Sequence, residues 1–444
     1  MIFSLSRYLH GLGAGRYSPP RLRSPYIRVS RRRFRELERA HDRNGNDVDT
    51  ALRQIRRRVS PEYRRRLLPV QRRAISYSYS AFPAYRFILP EVIADDWLAI
   101  MDWRKYQRDH VIHQPLVAYV LLKMLVGNGG GGGGLALAGV PLLQRCVDAV
   151  INGPQTAYLR DYLRRIGVAE NDPYLGGTYQ VRRRLWESLF VRVAYLSALF
   201  HDMGYPWQYI GRLGGRLEHA GQWPGRASAE EVIDKHSDRL LLYPLNGYRP
   251  RDAATPATWA KTLADMTRTA LNETHGLPGA LGFLYLNDVV RDHPRDTRHP
   301  VRLFCLEWAA MAIMMHDMSG IYWGDGPRVY PCFPHLRLRF ERDPLSSVLT
   351  LADLIQDFAR PTASFTRTAA AVSVSYPMVC CETSVVFDPG PRRMTITYHF
   401  GAAAQAANKR RFLPRDHREF FDARSGYLDL SALGIEEVQL LAAP

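Results

Sequence analysis

The sequence predicts a mainly α-helical protein, and three features of the chain support that expectation. Between residues 96 and 361, apolar segments recur at helical spacing and are bounded by residues that start or stop helices. After Pro361 the pattern changes to short alternating segments separated by turn residues, which is typical of strands. Before residue 96 the chain is rich in arginine. We therefore expect an arginine-rich extension over 1–95, a helical core over 96–361 and a small α+β region over 362–444.

Positive charge is concentrated near the amino terminus. Residues 1–75 contain 20 arginines, no lysine and 6 acidic residues, so most of the net charge of +17 lies there. We expect residues 1–30 to be irregular or mobile, and residues 31–73 to form a helical arm in two pieces, the second starting at Ser60 and Pro61. Such an arm could bind nucleic acid or another acidic partner through phosphate contacts. An arginine-covered helical pair packed on the main domain explains the same pattern.

The cellular compartment is predicted from what the chain lacks. Its five cysteines show no framework spacing, which favours a reducing cytoplasm. Arg7 and His10 interrupt the amino-terminal segment, so no signal peptide is expected. No run of about 18 apolar residues occurs, and we therefore predict no membrane span.

The helical core is predicted from its end signals. The first helix should run from Pro115, a favourable first-turn residue, to Val126, before a flexible run of six glycines at 129–134. The last helix should begin at the cap Asp343 and end before Pro361. Between and before these, helices are expected over residues 95–105, 142–152, 157–167, 181–203, 229–239, 257–271, 276–290 and 300–315.

The region after Pro361 is predicted to contain both strands and helix. Residues 372–376 alternate, and 383–387 and 394–400 should be strands that flank the turn Asp388-Pro-Gly-Pro-Arg. Residues 402–424 should be helical and divided or kinked at Pro414, and residues 438–441 should form a last strand.

Histidine and aspartate residues recur at the ends or edges of the apolar segments. His201 and Asp202 stand side by side where the long helix over 181–203 ends. An imidazole nitrogen and a carboxylate oxygen are good ligands for Zn, Mn or Fe. In chain order, further candidates of the same two types are His113, His275, His316 and Asp353.

This order of histidine, His-Asp, histidine, histidine and aspartate resembles the HD-domain superfamily of metal-dependent phosphohydrolases, in particular its dinuclear branch. The resemblance covers roughly residues 100–361. It implies a helical bundle in which Asp202 bridges two divalent transition metals (Fe, Mn or Zn), with the His201-Asp202 pair at the catalytic core. Carried over position by position, it assigns one metal to His113, His201, Asp202 and Asp353, and the other to Asp202, His275 and His316.

Other residues near these segments are candidates for supporting roles. His110 competes with His113 for the first ligand position, and we favour His113 because it lies closer to the apolar helix. Neighbours that would orient the imidazoles are His110, Asp109 and Asp317. Basic residues that would hold a substrate phosphate are Arg108, Lys123, Arg212 and Arg216.

The resemblance implies hydrolysis of a nucleotide or a related phosphoester by a hydroxide that bridges the metals. Two alternatives remain open. Some HD-type proteins with the same ligand order are di-iron oxygenases that cleave C–C or C–P bonds with dioxygen. The arginine-rich residues 1–75 mildly favour a third interpretation, a non-catalytic HD scaffold associated with nucleic acid.

Overall fold

A computed structural model describes part of the chain. The described residues are 1–4, 110–127, 134–202, 204, 239–244, 274–286, 300–319, 337–358, 362–367, 372–378 and 380–444. The predictions for residues 5–109, for most of the glycine run, and for the helices at 229–239 (apart from Arg239) and 257–271 lie outside these residues. The same is true of Arg108, Asp109, Arg212 and Arg216.

Within the described residues the fold is mainly helical, as the sequence predicts. Two single turns of 3-10 helix lie at Leu240–Leu242 and Ser431–Leu433. The α-helices are α1 (His110–Val126), α2 (Leu142–Asn152), α3 (Ala157–Arg165), α4 (Tyr179–Phe200), α5 (Gly276–Leu286), α6 (Pro300–Met315), α7 (Pro344–Ile355), α8 (Ala403–Arg410) and α9 (Leu413–Phe420).

Helices α1, α4, α6 and α7 share one apolar core. Every residue from Val193 to Phe200 in α4 is buried, and α6 is buried from Leu306 to Met315. A helix that is apolar on all sides must be surrounded by other elements, so these two helices are central. Trp308 of α6 packs edge-to-face on Trp186 of α4, with ring centroids 6.0 Å apart. The carboxyl-terminal ends of α4 and α6 are thereby held within the core.

Some helix boundaries differ from the predicted ones. Helix α1 already includes His110, five residues before Pro115, so His110 and His113 lie within this helix rather than in a segment that precedes it. Within a helix, proline donates no backbone hydrogen bond and crowds the carbonyl four residues earlier, which is why the sequence placed Pro115 in the first turn. Helix α5 is described as far as Leu286, and the predicted continuation to residue 290 lies outside the described residues. Helix α7 ends at Ile355 rather than near residue 360, because Gln356 leaves the helical conformation with ψ 85°.

A buried carboxylate on α6 binds the short segment 239–244, which contains the first 3-10 turn. Glu307 is fully buried and accepts hydrogen bonds from the Tyr162 hydroxyl and the Arg239 guanidinium. It also accepts one from the Leu240 amide at 3.1 Å. Because a buried charge needs partners, this network fixes the 3-10 turn against the middle of α6.

The strands in the described part of the chain form one four-stranded sheet and three two-stranded sheets. The larger sheet has the order β1 (Ile2–Ser4), β7 (Cys380–Asp388), β8 (Arg393–Phe400), β10 (Glu437–Ala443). Strands β7 and β8 are antiparallel and pair Val385 with Ile396, while β10 runs parallel to β8. The small sheets pair β2 (Ala136–Leu137) with β3 (Val140–Pro141), β4 (Leu338–Arg339) with β9 (Leu428–Asp429), and β5 (Thr362–Arg367) with β6 (Val372–Met378).

The first strand is a correction to the expectation of an irregular segment over residues 1–30. Ile2 to Ser4 pair antiparallel with β7. Phe3 is fully buried and lies edge-to-face with Tyr119 of α1, at a centroid distance of 6.2 Å. A strand of three residues is too short to show a period in sequence, and one buried aromatic side chain with ladder hydrogen bonds is enough to stabilise it.

The remaining predictions for the carboxyl-terminal region agree with the structure. Strands β6, β7, β8 and β10 include all the predicted strand residues, and the helical segment is divided just before Pro414 into α8 and α9. Strand β5 was not predicted. The Tyr427 hydroxyl donates to the Met315 carbonyl at 2.5 Å, which ties this region to the end of α6.

No helix among the described residues combines the length and the apolarity needed to cross a bilayer.

The cap of α7 carries a testable pH effect. Asp343 accepts a hydrogen bond from the Ser346 amide at 3.0 Å, as the sequence predicts for a cap. Burial raises the pKa of Asp343 from 3.8 to about 6. The unfolded chain releases this proton near 3.8, so the contribution of this group to stability is complete below about pH 4 and is lost as the pH rises through about 6.

Asp343→Asn should therefore be more stable than the wild type at pH 7.5, by on the order of 2–3 kcal/mol. Asparagine keeps the cap acceptor and cannot ionise. The difference in the free energy of unfolding should shrink to about a third at pH 4.5. Urea denaturation at both pH values measures it, with Asp388→Asn as an exposed control. An equal difference at the two pH values would mean that ionisation of Asp343 is not the cause.

Candidate metal centre

The structure brings six of the predicted residues together at the ends of five helices. His113 is the fourth residue of α1 as described, and His201 and Asp202 directly follow α4. His275 directly precedes α5, and His316 directly follows α6. Asp353 lies in the last turn of α7, and its side chain is 14% exposed. The other five residues are buried.

One half of this cluster surrounds His113. Its Nε2 lies 2.7 Å from Asp353 Oδ1 and 3.5 Å from Asp202 Oδ2. The Nε2 atoms of His113 and His201 are 3.2 Å apart, and His201 Nε2 lies 3.3 Å from Asp202 Oδ1. Four side chains from α1, α7 and the turn after α4 therefore converge on one point.

The other half joins the start of α5 to the end of α6. His275 Nε2 lies 2.9 Å from Asp202 Oδ1, and His316 Nε2 lies 3.6 Å from the same oxygen. The two histidine Nε2 atoms are 3.1 Å apart. Asp202 thus contacts both halves, with Oδ2 near His113 and Oδ1 near His201, His275 and His316.

The spacing of these atoms suits a metal ion. Three overlapping groups have ligand atoms within 4.8 Å of one another: His113, His201 and Asp202; His201, His316 and Asp353; and Asp202, His275 and His316. Metal–nitrogen distances are about 2.0–2.1 Å, so two ligand atoms on one metal lie about 3.0–3.5 Å apart. The two histidine pairs match this spacing.

All four imidazoles are oriented by an acceptor on Nδ1. His201 donates to the Ala198 carbonyl at 2.7 Å, and His316 donates to the Ile313 carbonyl at 2.6 Å. His113 donates to the Gln356 side chain, and His275 Nδ1 lies 2.8 Å from Asp317 Oδ2. Nδ1–H donation leaves the Nε2 lone pair of a neutral imidazole free. Four Nε2 atoms and two carboxylates face one another, an arrangement that a cation stabilises.

The pKa values of the histidines shift in opposite directions in the two halves. Burial lowers the pKa of His275, but the carboxylates of Asp317 and Asp202 outweigh it and raise this pKa to about 9. Burial lowers the pKa of His201, and the nearby Asp202 carboxylate does not fully offset it. A metal that binds His275 at neutral pH therefore displaces a proton.

Two glycines allow the ligand-bearing segments to approach closely. A Cβ on Gly204 would lie 1.8 Å from the His275 carbonyl oxygen and 2.6 Å from the Gly279 nitrogen. A Cβ on Gly276 would lie 2.6 Å from the Met314 carbonyl oxygen. Only glycine fits backbone contacts this short. The start of α5 can therefore lie directly against the turn after α4 and the last turn of α6.

Gln356 is a functional candidate that sequence reasoning missed. Its Nε2 donates to the Phe358 carbonyl at 2.7 Å, so its Oε1 is the atom that faces His113 Nδ1. Asp353 and Gln356 thus contact the two nitrogens of one imidazole from neighbouring turns at the end of α7. The signal in the sequence was that Gln356 follows Asp353 by three residues, which is helical spacing. Amide side chains at helix ends are common, so this spacing was not enough to identify Gln356.

The predicted supporting residues differ in where the structure places them. Asp317 lies beside a candidate ligand, since its Oδ2 is 2.8 Å from His275 Nδ1 and also accepts from the His275 amide at 2.8 Å. Lys123 is not brought to the cluster. It lies ten residues beyond His113, about 15 Å along α1, and donates to the Ile2 carbonyl at 2.5 Å. The side chain of His110 lies outside the described part of the chain.

Gln356→Leu should weaken metal binding about 10–100-fold, because His113 loses the acceptor that orients it. Titration against a chromophoric chelator measures the affinity. Ser346→Ala is the control, since Ser346 is also buried on α7 but lies about 10 Å further from the cluster along the helix. Wild-type affinity in Gln356→Leu would show that this amide does not orient the ligand.

Comparison with known proteins does not assign this chain to a family. It matches no protein-family model, and no curated protein or solved structure is significantly similar to it. The candidate site therefore depends on its own geometry, in which buried histidine and aspartate groups lie within the distance that could hold a metal ion.

Proposed function

We propose that this protein is a metal-dependent phosphohydrolase of the HD type, with a dinuclear centre that acts on a nucleotide or a related phosphoester. The observation that carries this proposal is the position of Asp202. Its Oδ2 lies 3.5 Å from His113 Nε2, and its Oδ1 lies 2.9–3.6 Å from the Nε2 atoms of His201, His275 and His316, so this one carboxylate contacts histidines of both sets. A carboxylate shared between two histidine sets is the arrangement expected of a bridging ligand.

The donor set fits two divalent transition metals such as Fe, Mn or Zn. One metal would be held by His113, His201, Asp202 and Asp353, whose contacts range from 2.7 to 3.8 Å. The other would be held by Asp202, His275 and His316. When bound, such a pair supplies an activated water at neutral pH and neutralises phosphoryl oxygens.

The chain itself supplies orientation and a route for substrate. Gln356, Asp317 and two helix carbonyls hold the imidazole rings in place. The side chains of Asp353 and Asp317 are 14% and 23% exposed, whereas that of His275 is 6% exposed and those of His113 and His201 are fully buried. We infer that substrate approaches from the side of Asp353 and Asp317, because these carboxylates form the solvent edge of the cluster.

The test compares metal content and activity in anaerobically purified protein. We expect about two metals per chain, and phosphodiester and nucleotide hydrolysis that is lost on chelation and restored by Mn, Fe or Zn. The His275→Ala/His316→Ala variant should retain about one metal, because it leaves the four ligands around His113.

Other outcomes overturn the proposal in distinguishable ways. Iron together with oxygen consumption, without hydrolysis, would identify a di-iron oxygenase. The absence of metal from both wild type and variant would contradict metal-dependent catalysis altogether.

A further inference from the structure

The turn that joins α8 to α9 concentrates positive charge around one aromatic ring. Residues 409–424 contain six lysines and arginines against three acidic residues. Phe412 is 49% exposed. Arg410, Arg411 and Arg415 lie beside it and are also exposed. We call these three arginines and Phe412 the basic turn.

Hydrogen bonds fix the geometry of the basic turn. The Phe412 amide donates to the Lys409 carbonyl at 2.9 Å. The Phe412 carbonyl accepts from the amides of Arg415 and Asp416, both at 3.0 Å. The ring therefore projects from the start of α9, with Arg411 before it and Arg415 one turn after it. The amino end of α9 adds further positive potential.

Nearby carboxylates neutralise only part of this surface. Asp416 lies 3.8 Å from the Lys409 amino group, which also pairs with Asp357 at 3.0 Å. Glu419 is 3.9 Å from Arg415, whose side chain is still 69% exposed. Arg410 Nε donates to the Ala442 carbonyl at 3.2 Å, but a guanidinium has five N–H donors, so these exposed arginines can still bind an anionic partner.

We propose that the basic turn binds single-stranded nucleic acid, with phosphates on the arginines and one base stacked on Phe412. Arginine and an exposed aromatic ring are the two elements that such binding needs.

A duplex is disfavoured, because its bases are already stacked on one another. An anionic membrane is also disfavoured. Of the large hydrophobic side chains on residues 403–420, all of which the structure describes, Phe412 alone is exposed, and interfacial helices bury a broad apolar face.

Helix α9 leads from the basic turn towards the candidate metal centre. It is about 12 Å long, and near its other end Glu419 lies 3.5 Å from Ser319, three residues after His316. A bound strand would therefore lie within a few nucleotides of the centre. The basic turn contains none of the six candidate ligands, so the binding proposal does not depend on the proposed function.

The test is fluorescence anisotropy of a labelled 12-nucleotide oligo(dT) with the full chain at about 150 mM salt. Phe412→Ala should weaken binding about tenfold through lost stacking, and Arg415→Glu should weaken it about fivefold or more. The matched controls are Val386→Ala, which removes an apolar side chain that is 59% exposed, and Arg184→Glu on the exposed surface of α4. Both controls should bind like the wild type.

Three outcomes decide the proposal. The expected losses, with unchanged affinity after chelation of metal, support it and separate it from the chemistry of the centre. Wild-type affinity in both Phe412→Ala and Arg415→Glu would place any binding elsewhere and overturn it. Binding to vesicles that contain phosphatidylserine, without binding to oligo(dT), would make the surface a membrane contact and would also overturn it.

Discussion

Asp202→Asn should reduce metal content from about two ions per chain to well below one. The reason is that both candidate halves contain Asp202, whose oxygens lie 2.9–3.6 Å from the Nε2 atoms of four histidines. An amide keeps the size of the side chain but removes the negative charge and the second equivalent oxygen. The affinity for metal should fall by at least about 100-fold, which exceeds the usual effect of losing an outer hydrogen-bond partner.

Asp353→Asn is the matched control for this prediction. Asp353 contacts His113 and His201 and belongs to the half of the cluster that includes them. Its loss should leave about one metal on Asp202, His275 and His316. Mass spectrometry of metal content, with circular dichroism to verify folding, distinguishes the two variants. If Asp202→Asn retained about two metals, Asp202 would not be the shared ligand.

Gly204→Ala should disrupt the centre without changing any ligand. The added Cβ would meet the His275 carbonyl oxygen at 1.8 Å, and this oxygen accepts the 2.9 Å hydrogen bond from the Gly279 amide at the start of α5. Backbone cannot yield as a flexible side chain does, so α5 must shift away from the turn that carries His201 and Asp202. We expect a loss of about 3 kcal/mol or more in the free energy of unfolding.

The shift of α5 should also separate His275 from Asp202, and metal content should fall to about one per chain. Gly390→Ala is the control, because its Cβ would approach Asp388 Oδ1 no closer than 3.5 Å. Denaturant unfolding and metal analysis of both variants provide the measurements. Wild-type stability in Gly204→Ala would mean that α5 does not need this close approach.

Local signals were sufficient for most of the helices that the structure describes. Asp343 before Pro344 identified the start of α7, and the bounds of α2 and α6 follow from their apolar segments. These predictions succeed because capping and apolar periodicity act within a few residues of one another. The order of histidine and aspartate residues likewise singled out all six side chains that the structure brings together.

Long-range contacts decided the rest. Residues 2–4 become a strand only because β7 offers an edge and α1 covers Phe3. The same contact takes Lys123, a predicted phosphate ligand, to the Ile2 carbonyl. Neither result follows from neighbours in sequence, since 121 residues separate Ile2 from Lys123.

The sequence by itself determined which residue types could bind a metal and which helix ends would carry them, because both depend on chemistry and on local backbone preference. The tertiary structure alone decided that Asp202 contacts both histidine sets, that Gln356 orients His113, and that Gly204 lies against the His275 backbone. These facts depend on how five helix ends meet, and distances of 2.7–3.6 Å between remote side chains are set by packing rather than by spacing along the chain.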